Sequence, residues 1–298
     1  MAGNSPFFSI IIPTYNRPAR IVSCLEAIAG LAYPVDRFEV IIIDDGGDEL
    51  LDDVIAPFLQ RLTLRLLRQD HAGVAVGRNT GAAIARGEFL VFTDDDCRPA
   101  PDWLSRLADR FAKAGDCIIG GRTVNALPDN VYSTASQTLI GYLFSYFNAN
   151  PQEARFLTGS NLAIPAAGFF ALGGFDKTFI LMGAEEREFC DRWQHNGGRM
   201  MYAPEVLVYH FHTLTFRSFL RQHYKYGCGA YHYQRLKQLR CHHGMKVEPF
   251  SFYLKMLRFP FVLQQGGNAP LLAVLLVSSQ VANITGFFME KLRSKSIC

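Results

Sequence analysis

The sequence predicts an α/β fold: a mostly parallel sheet flanked by helices, followed by a helical C-terminal extension. Three observations carry that expectation. Short apolar runs alternate with helix-period segments through the first 125 residues. The runs are continuously apolar, as in strands covered on both faces. Three of them end in polar sequence, PTYN, DDGG and TDDD, and ligands of open α/β sheets bind beyond the carboxyl ends of the strands.

The elements follow in order. Phe8 to Ile12 is the first strand. Pro18 suits a first helical turn, and Ile21, Leu25 and Ile28 continue at helical spacing. Phe38 to Ile43 is the second strand. Leu50, Leu51, Val54, Ile55 and Phe58 mark a second helix. Leu62 to Leu67 is a weaker third strand, and Val74 to Ala85 a third helix. Phe89 to Thr93 is the fourth strand. Pro101 opens a fourth helix carrying Trp103, Leu104, Leu107 and Phe111 on one face, and Cys117 to Val124 is a further strand. Right-handed crossovers between these strands imply a mostly parallel sheet. Beyond residue 125 the alternation fades. Val131 to Phe147 reads as a helix, Phe156 to Ile164 as a strand with a turn, Glu185 to His195 as a helix stopped by Gly197-Gly198, and Val206 to Phe211 as a strand. From Phe216 the chain is helical, first basic and then apolar.

The chain has 298 residues, 30 Lys and Arg against 27 Asp and Glu, and 49% hydrophobic residues. That is a globular composition whose near-neutral balance offers no case for nucleic acid. The seven cysteines are scattered without a CxxC pair, which argues for reduced thiols and a cytoplasmic setting. The first residues lack a charged and then apolar leader, so no signal peptide is expected.

Two segments carry chemistry. Asp94, Asp95 and Asp96 close a strand, where like charges repel and need compensation. A hard divalent cation, Mn²⁺ or Mg²⁺, would supply it through oxygen ligands; a solvated loop with a helix-capping acid is the alternative. The Gly- and Ala-rich segment from His71 to Gly87 holds Arg78 at its centre. That guanidinium would grip a phosphate in a fork, or lie on the surface of a close-packed helix.

Taken in order, SIIIPTYNRP, VIIIDDGG, GVAVGRNTGAAIARGEFLVFTDDDCRP, FLTGSNLAI, ALGGFD, GAEEREFCDRW and VYHFH resemble the family 2 glycosyltransferases, inverting enzymes with the Rossmann-like GT-A fold. The resemblance runs from about residue 8 to 230. It implies a nucleoside-diphosphate sugar donor, UDP-linked for preference, and a glycan or lipid-linked acceptor. Residues 1–215 would form the glycosyltransferase domain, with a nucleotide-sugar half to about 125 and an acceptor half to 215. By resemblance, Pro13, Thr14, Arg17, Asp45, Arg78, Asp94 and Asp95 line the nucleotide-sugar site, with Asp45 preferred over Asp44 as reader of the base. Asp96 and Asp94, with His210 or His212, hold the metal. Gly159, Ser160, Asn161, Gly174 and Asp176 shape the sugar and acceptor side.

The family's helix-opening acid pair is usually Glu-Asp, its second member the base. Here it is Glu185-Glu186, one methylene longer, and Glu186 is preferred over Glu185. Acids in a first helical turn also complement the helix dipole, which is the plain alternative. A second departure, DDGG for the commoner DDGS, keeps the turn. The competing functions are a sugar-nucleotide nucleotidyltransferase, which would want a glycine-rich basic loop after the first strand, and a non-catalytic sugar-nucleotide binder.

No QxxRW signature of processive members is present, which favours single-sugar transfer. Arg221, His223 and Lys225 would meet an anionic acceptor or lipid phosphate, or form a solvated helix face. Ala269 to Phe288 has the length of a membrane span but too many polar groups. With Lys255, Arg258, Lys291, Arg293 and Lys295 around it, it reads as an interfacial helix at the inner face of the cell membrane, or as a helix packed on the core. Residues 216–298 are accordingly expected to form a helical, membrane-contacting extension. Cell-envelope polysaccharide assembly, glycolipid synthesis and protein glycosylation all fit.

Overall fold

The computed structural model describes residues 5–180, 183–241, 245, 247–263 and 266–295. Among the described residues eight strands form one sheet: β1 (Phe8–Thr14), β2 (Phe38–Asp44), β3 (Leu64–Arg68), β4 (Phe89–Thr93), β5 (Cys97–Pro99), β6 (Cys117–Asn125), β7 (Asn161–Pro165) and β8 (Arg199–His210). Their spatial order is β3-β2-β1-β4-β7-β6-β8-β5. The helices are α1 (Pro18–Ala29), α2 (Asp52–Ile55), α3 (Val74–Ala83), α4 (Trp103–Ala114), α5 (Val131–Phe147), α6 (Ala166–Ala171), α7 (Glu185–His195), α8 (Phe216–Cys241), α9 (Phe250–Val262) and α10 (Ala269–Lys295).

Alternation within the apolar runs explains the layers. Ile10 and Ile12 of β1 and Val40 and Ile42 of β2 face one core, with Ile21, Leu25 and Ile28 of α1 and Trp103, Leu107 and Phe111 of α4. Ile11, Ile41 and Ile43 face the other, with Ala75 and Ala82 of α3 and Phe169, Phe189 and Trp193 of α6 and α7. Both faces being covered is why the strands read as unbroken apolar runs.

The parallel expectation holds for β3-β2-β1-β4 and for β6 with β8. It does not extend to β7, which runs antiparallel to both β4 and β6, nor to β5, antiparallel to β8. The sheet is therefore mixed. The helix expected over Leu50 to Phe58 contracts to α2 and a 3₁₀ turn at Ala56–Phe58, because Pro57 has no N–H to continue it. In FLTGSNLAI only Asn161 onward is strand. The last strand begins at Arg199, seven residues earlier than expected. Its pairing with β6 skips from Ala203 to Leu207, a bulge that absorbs Pro204, which cannot donate to a ladder.

Two features position the site. The β1–β4 ladder stops at Ile11 and Phe92, whereas β1–β2 continues to Thr14 and Asp44. The strands so part at their carboxyl ends, where a ligand crevice opens. Next, β5 pairs Cys97 with His210, which folds the acid triad back against the end of β8. The three C-terminal helices pack on the body through α5: Ala135 clusters with Phe219, Leu272 and Leu275, and Tyr142 and Leu139 with Phe252, Met256 and Leu276.

Candidate active site

The three aspartates beyond β4 point in different directions and each meets a cation. Asp95 is buried; it accepts a hydrogen bond from the Thr14 hydroxyl at 2.7 Å and pairs with Arg17 at 3.2 Å. Asp96 accepts from Arg20 at 2.6 Å and pairs with Nε2 of His210 at 3.0 Å. Asp94, one-third exposed, pairs with Arg78 at 2.8 Å. The compensation that the sequence expectation assigned to a metal is thus supplied in part by the protein's own Arg17, Arg20, Arg78 and His210. Arg20 was not anticipated, although its position three residues after Arg17 places it on the same face of α1.

The two buried acids titrate apart. Burial pushes Asp95 up to about 6, only partly offset by Arg17. For Asp96 burial is outweighed by the hydrogen bond and charge of His210 and by Arg20, which hold it well below the usual carboxylate range. The ring of His212 stacks on His210 at 4.1 Å; burial and the adjacent His210 push its pKa down to about 3.

Arg78 joins this cluster to the helix-opening glutamates. Its guanidinium is 3% exposed and lies between Asp94 and Glu185, 2.8 Å from each. Gly159 makes room for it: a Cβ there would stand 2.4 Å from the Nη1 atom. Glu185 also accepts from the Gly183 amide at 3.2 Å, so its carboxylate is engaged twice. Glu186 is half-buried and in no ion pair among the described residues. Burial and the neighbouring Glu185 push it up to about 8, against the pull of Arg78. The turn before α7 is unusual, with Gly183 at φ 105° and Ala184, a non-glycine, at φ 80°. A left-handed alanine costs about 1 kcal/mol or more, and the turn is held by α8. The Tyr226 ring lies where a Gly183 Cβ would be, at 2.5 Å, and Gly229 abuts the Gly183 carbonyl. Tyr226 has no local sequence signal, because only the packing of α8 brings it here.

On the β2 side, Asp45 is committed to the loop over residues 69–73. It accepts from the Gln69 side chain at 2.6 Å and from the Ala72 and Gly73 amides at 3.0 and 2.9 Å, and pairs with His71 at 2.9 Å. Those four partners fill the lone-pair positions of a carboxylate, so Asp45, the acid expected to read the base, holds the 69–73 loop beside the end of β2. Asp44 accepts from the Gly47 amide at 2.9 Å. The His71 ring stacks on the exposed Tyr15 at 4.2 Å, beside a cleft of about 560 Å³ lined by Gly46, Arg68, Gln69, Asp70 and His71.

The remaining sequence-derived residues separate. Pro13 is half-buried at the parting of β1 and β4. Asn161 is 2% exposed: Trp103 donates to it at 2.9 Å, and its amide donates to the Arg122 and Val206 carbonyls. It ties β7 to α4, β6 and β8. The Ser160 carbonyl accepts from Thr93. Gly174, at φ 73°, faces Asn79 and gives its carbonyl to Arg192. Asp176 closes a turn on Thr178.

A mixed set of possible metal donors lies at the end of β8. Asp96, Cys97 and His210 offer ligand atoms within 4.8 Å of one another, and Nδ1 of the buried His212 has no hydrogen-bond partner among the described residues. Asp96 offers the hard oxygen donor, and His210, which Asp96 now holds toward its protonated form, would give up that proton to bind an ion; imidazole nitrogens fit Mn²⁺ better than Mg²⁺. Burial, with Asp94 and Asp96 nearby, holds the Cys97 thiol protonated, so Cys97 is the least suited of the set.

Residues 9–172, more than half of the chain, match the family model described as glycosyl transferase family 2. The chain belongs to that family. Among its relatives, the glycosyltransferase AglE of Haloferax volcanii is 32% identical over 231 residues, 77% of this chain and 74% of AglE. A validoxylamine A glucosyltransferase of Streptomyces hygroscopicus is 26% identical over 235 residues, 67% of this chain and 54% of its own length. This family 2 chain therefore spans about half the length of some curated relatives it matches. The mannosyltransferase PcManGT of Pyrobaculum calidifontis, solved with GDP-Man and Mn²⁺, superposes with a TM-score of 0.65 at 18% identity, covering 94% of this chain and 87% of that one. TarS 1-349 of S. aureus with UDP-GlcNAc gives 0.57 at 15% identity, covering 97% and 92%. These likenesses confirm the GT-A fold of this glycosyltransferase.

Proposed function

We propose that this glycosyltransferase moves a hexosyl group from a nucleoside-diphosphate sugar, UDP-linked for preference, to an acceptor hydroxyl with inversion at the anomeric carbon. One observation carries the reading: Arg78 bridges Asp94 and Glu185, so the donor-side acids and the helix-opening glutamates form one site. The nucleotide half lies in residues 1–125 and the acceptor half in 126–215. The Tyr15 and His71 rings and the adjoining cleft support base recognition there rather than by Asp45. The part-exposed Arg17 would face the diphosphate, while the buried Arg78 holds Asp94 and Glu185 beside it.

Asp96, His210 and His212 would hold Mn²⁺ or Mg²⁺, whose charge would stabilise the departing diphosphate. Glu186 removes the acceptor proton; Glu185 is already engaged by Arg78 and Gly183. The acceptor oxygen forms a bond to the anomeric carbon from the face opposite the leaving group. The bond from that carbon to the diphosphate oxygen breaks, its electron pair leaves with the diphosphate, and the proton stays on Glu186. The scattered cysteines, without a CxxC pair, support a cytoplasmic setting. The basic extension supports contact with a membrane that carries a lipid-linked acceptor.

A panel of nucleotide sugars, assayed by nucleotide release with Mn²⁺ present, tests the reading. One donor is expected to turn over, with inversion seen in the product's anomeric proton signal. Donor binding without turnover would favour the non-catalytic binder, and pyrophosphate release from a triphosphate would favour the nucleotidyltransferase.

A further inference from the structure

The charge of the chain is partitioned. Residues 216–298 carry twelve Lys and Arg against two Asp and Glu, whereas residues 1–215 carry eighteen against twenty-five. The same extension exposes apolar surface. On α10, Leu272, Leu275 and Leu276 are buried against the body. The opposite face shows Val274, Val277, Val281, Ile284, Phe288 and Leu292, each 47–61% exposed. Their spacing of three and four residues makes one continuous stripe along the helix. On α9, Phe250, Leu254, Phe261 and Val262 are also exposed, as are Lys255 and Arg258. Arg293 is exposed at the far end of α10.

By length and composition α10 would cross a bilayer, but one of its sides is taken up by the protein. A Cβ on Gly227 of α8 would lie 1.9 Å from the Asn283 carbonyl, and one on Gly286 of α10 would lie 2.0 Å from that of Tyr224. The two backbones are in direct contact, so one side of α10 is sealed to a basic, polar helix. A helix bound in that way presents a face, not its whole circumference.

We infer that the exposed faces of α9 and α10 lie in the plane of an anionic bilayer, the valine stripe entering the acyl boundary and the lysines and arginines meeting lipid phosphate. Charge selects this occupant over a second copy of the chain, because two such cationic extensions would repel each other while an anionic surface attracts them. The acidic body is turned toward water by the same field. The arrangement deepens the proposed reaction and rests on it for its purpose. α8 touches both the lipid-facing helix and the Gly183–Ala184 turn that leads into Glu186. The acceptor would then be presented at the membrane surface.

Docking is tested without donor or acceptor, so its failure is separable from failure of the transferase reading. The full chain is sedimented with vesicles of phosphatidylcholine alone, or mixed equally with phosphatidylglycerol, at low and high salt. Binding to the anionic vesicles, weakened by salt, is expected. Val274→Asp with Val281→Asp should cut the partition coefficient at least about tenfold. Lys255→Gln with Arg258→Gln should cut it by about fivefold per charge. Circular dichroism and nucleotide affinity, read on each variant, should stay at wild-type values. Absence of binding, binding equal on both vesicles, or binding untouched by both pairs of substitutions would overturn the inference. So would resistance to alkaline carbonate extraction, which marks a spanning helix, or a stable dimer by light scattering that the valine pair dissolves.

Discussion

Replacing Glu186 by Gln removes a carboxylate and keeps nearly the same volume. Burial and Glu185 push this group up to about 8, so as a base it is roughly one-tenth ionised at pH 7 and roughly nine-tenths at pH 9. With Mg²⁺ as the metal, kcat/KM of the wild type should therefore climb about tenfold between those values. Glu186→Gln should fall by about 10²–10⁴-fold at pH 9 and lose the slope, with donor affinity by calorimetry preserved. The sign for stability is opposite. A carboxyl whose folded pKa is raised binds more protons in the native state than when unfolded. Its stabilising contribution is complete below the unfolded value and is lost as pH rises toward about 8. Gln cannot ionise, so the variant should melt above the wild type at pH 8–9 while being inactive. A flat pH profile, or Glu186→Gln turning over near the wild-type rate, would remove Glu186 from the mechanism.

Arg78→Met should destabilise the fold by about 3–5 kcal/mol in urea, because it leaves Glu185 buried and unpaired; a loss below about 1 kcal/mol would mean that the bridge is not a buried pair. Asp96→Ala, or EDTA on the wild type, should abolish the metal-dependent part of donor affinity in calorimetry; equal affinity with and without Mn²⁺ would move the ion from Asp96 and His210. Gly159→Ala brings a Cβ to 2.4 Å from the Arg78 guanidinium and should lower kcat much more than it raises KM for donor. Gly229→Ala meets the Gly183 carbonyl at 2.2 Å and should cost about 1–3 kcal/mol as overpacking, with reduced kcat, since the displaced backbone carries the glutamate turn.

The residues that were legible early share a property. Phe89 to Thr93, Val131 to Phe147 and Glu185 to His195 appear in the structure with the bounds expected for them. Each is delimited by its own periodicity and by a local stop. Thr14, Arg17, Arg78, the aspartate triad and His210 do meet at one place, because each stands at or near the carboxyl end of a strand or at the start of a helix that follows one. Asp45 and Asn161 were harder. Both sit in recognisable segments, but their partners, the 69–73 amides and Trp103, lie on other elements. A polar residue's sequence position does not say whether its hydrogen bonds are already taken.

The sequence by itself determined the alternation of strands and helices, the acids and arginine that chemistry would require, and the basic, apolar character of the final 83 residues. These follow from local period, turn chemistry and composition. Only the tertiary structure decided that β7 runs backwards, that the short β5 carries Asp96 to His210, that Arg78 divides itself between Asp94 and Glu185, and that α8 braces the turn before Glu186. Those outcomes depend on contacts between residues tens to more than a hundred positions apart. Their energies exist only once the chain has closed on itself, and no short window of sequence contains them.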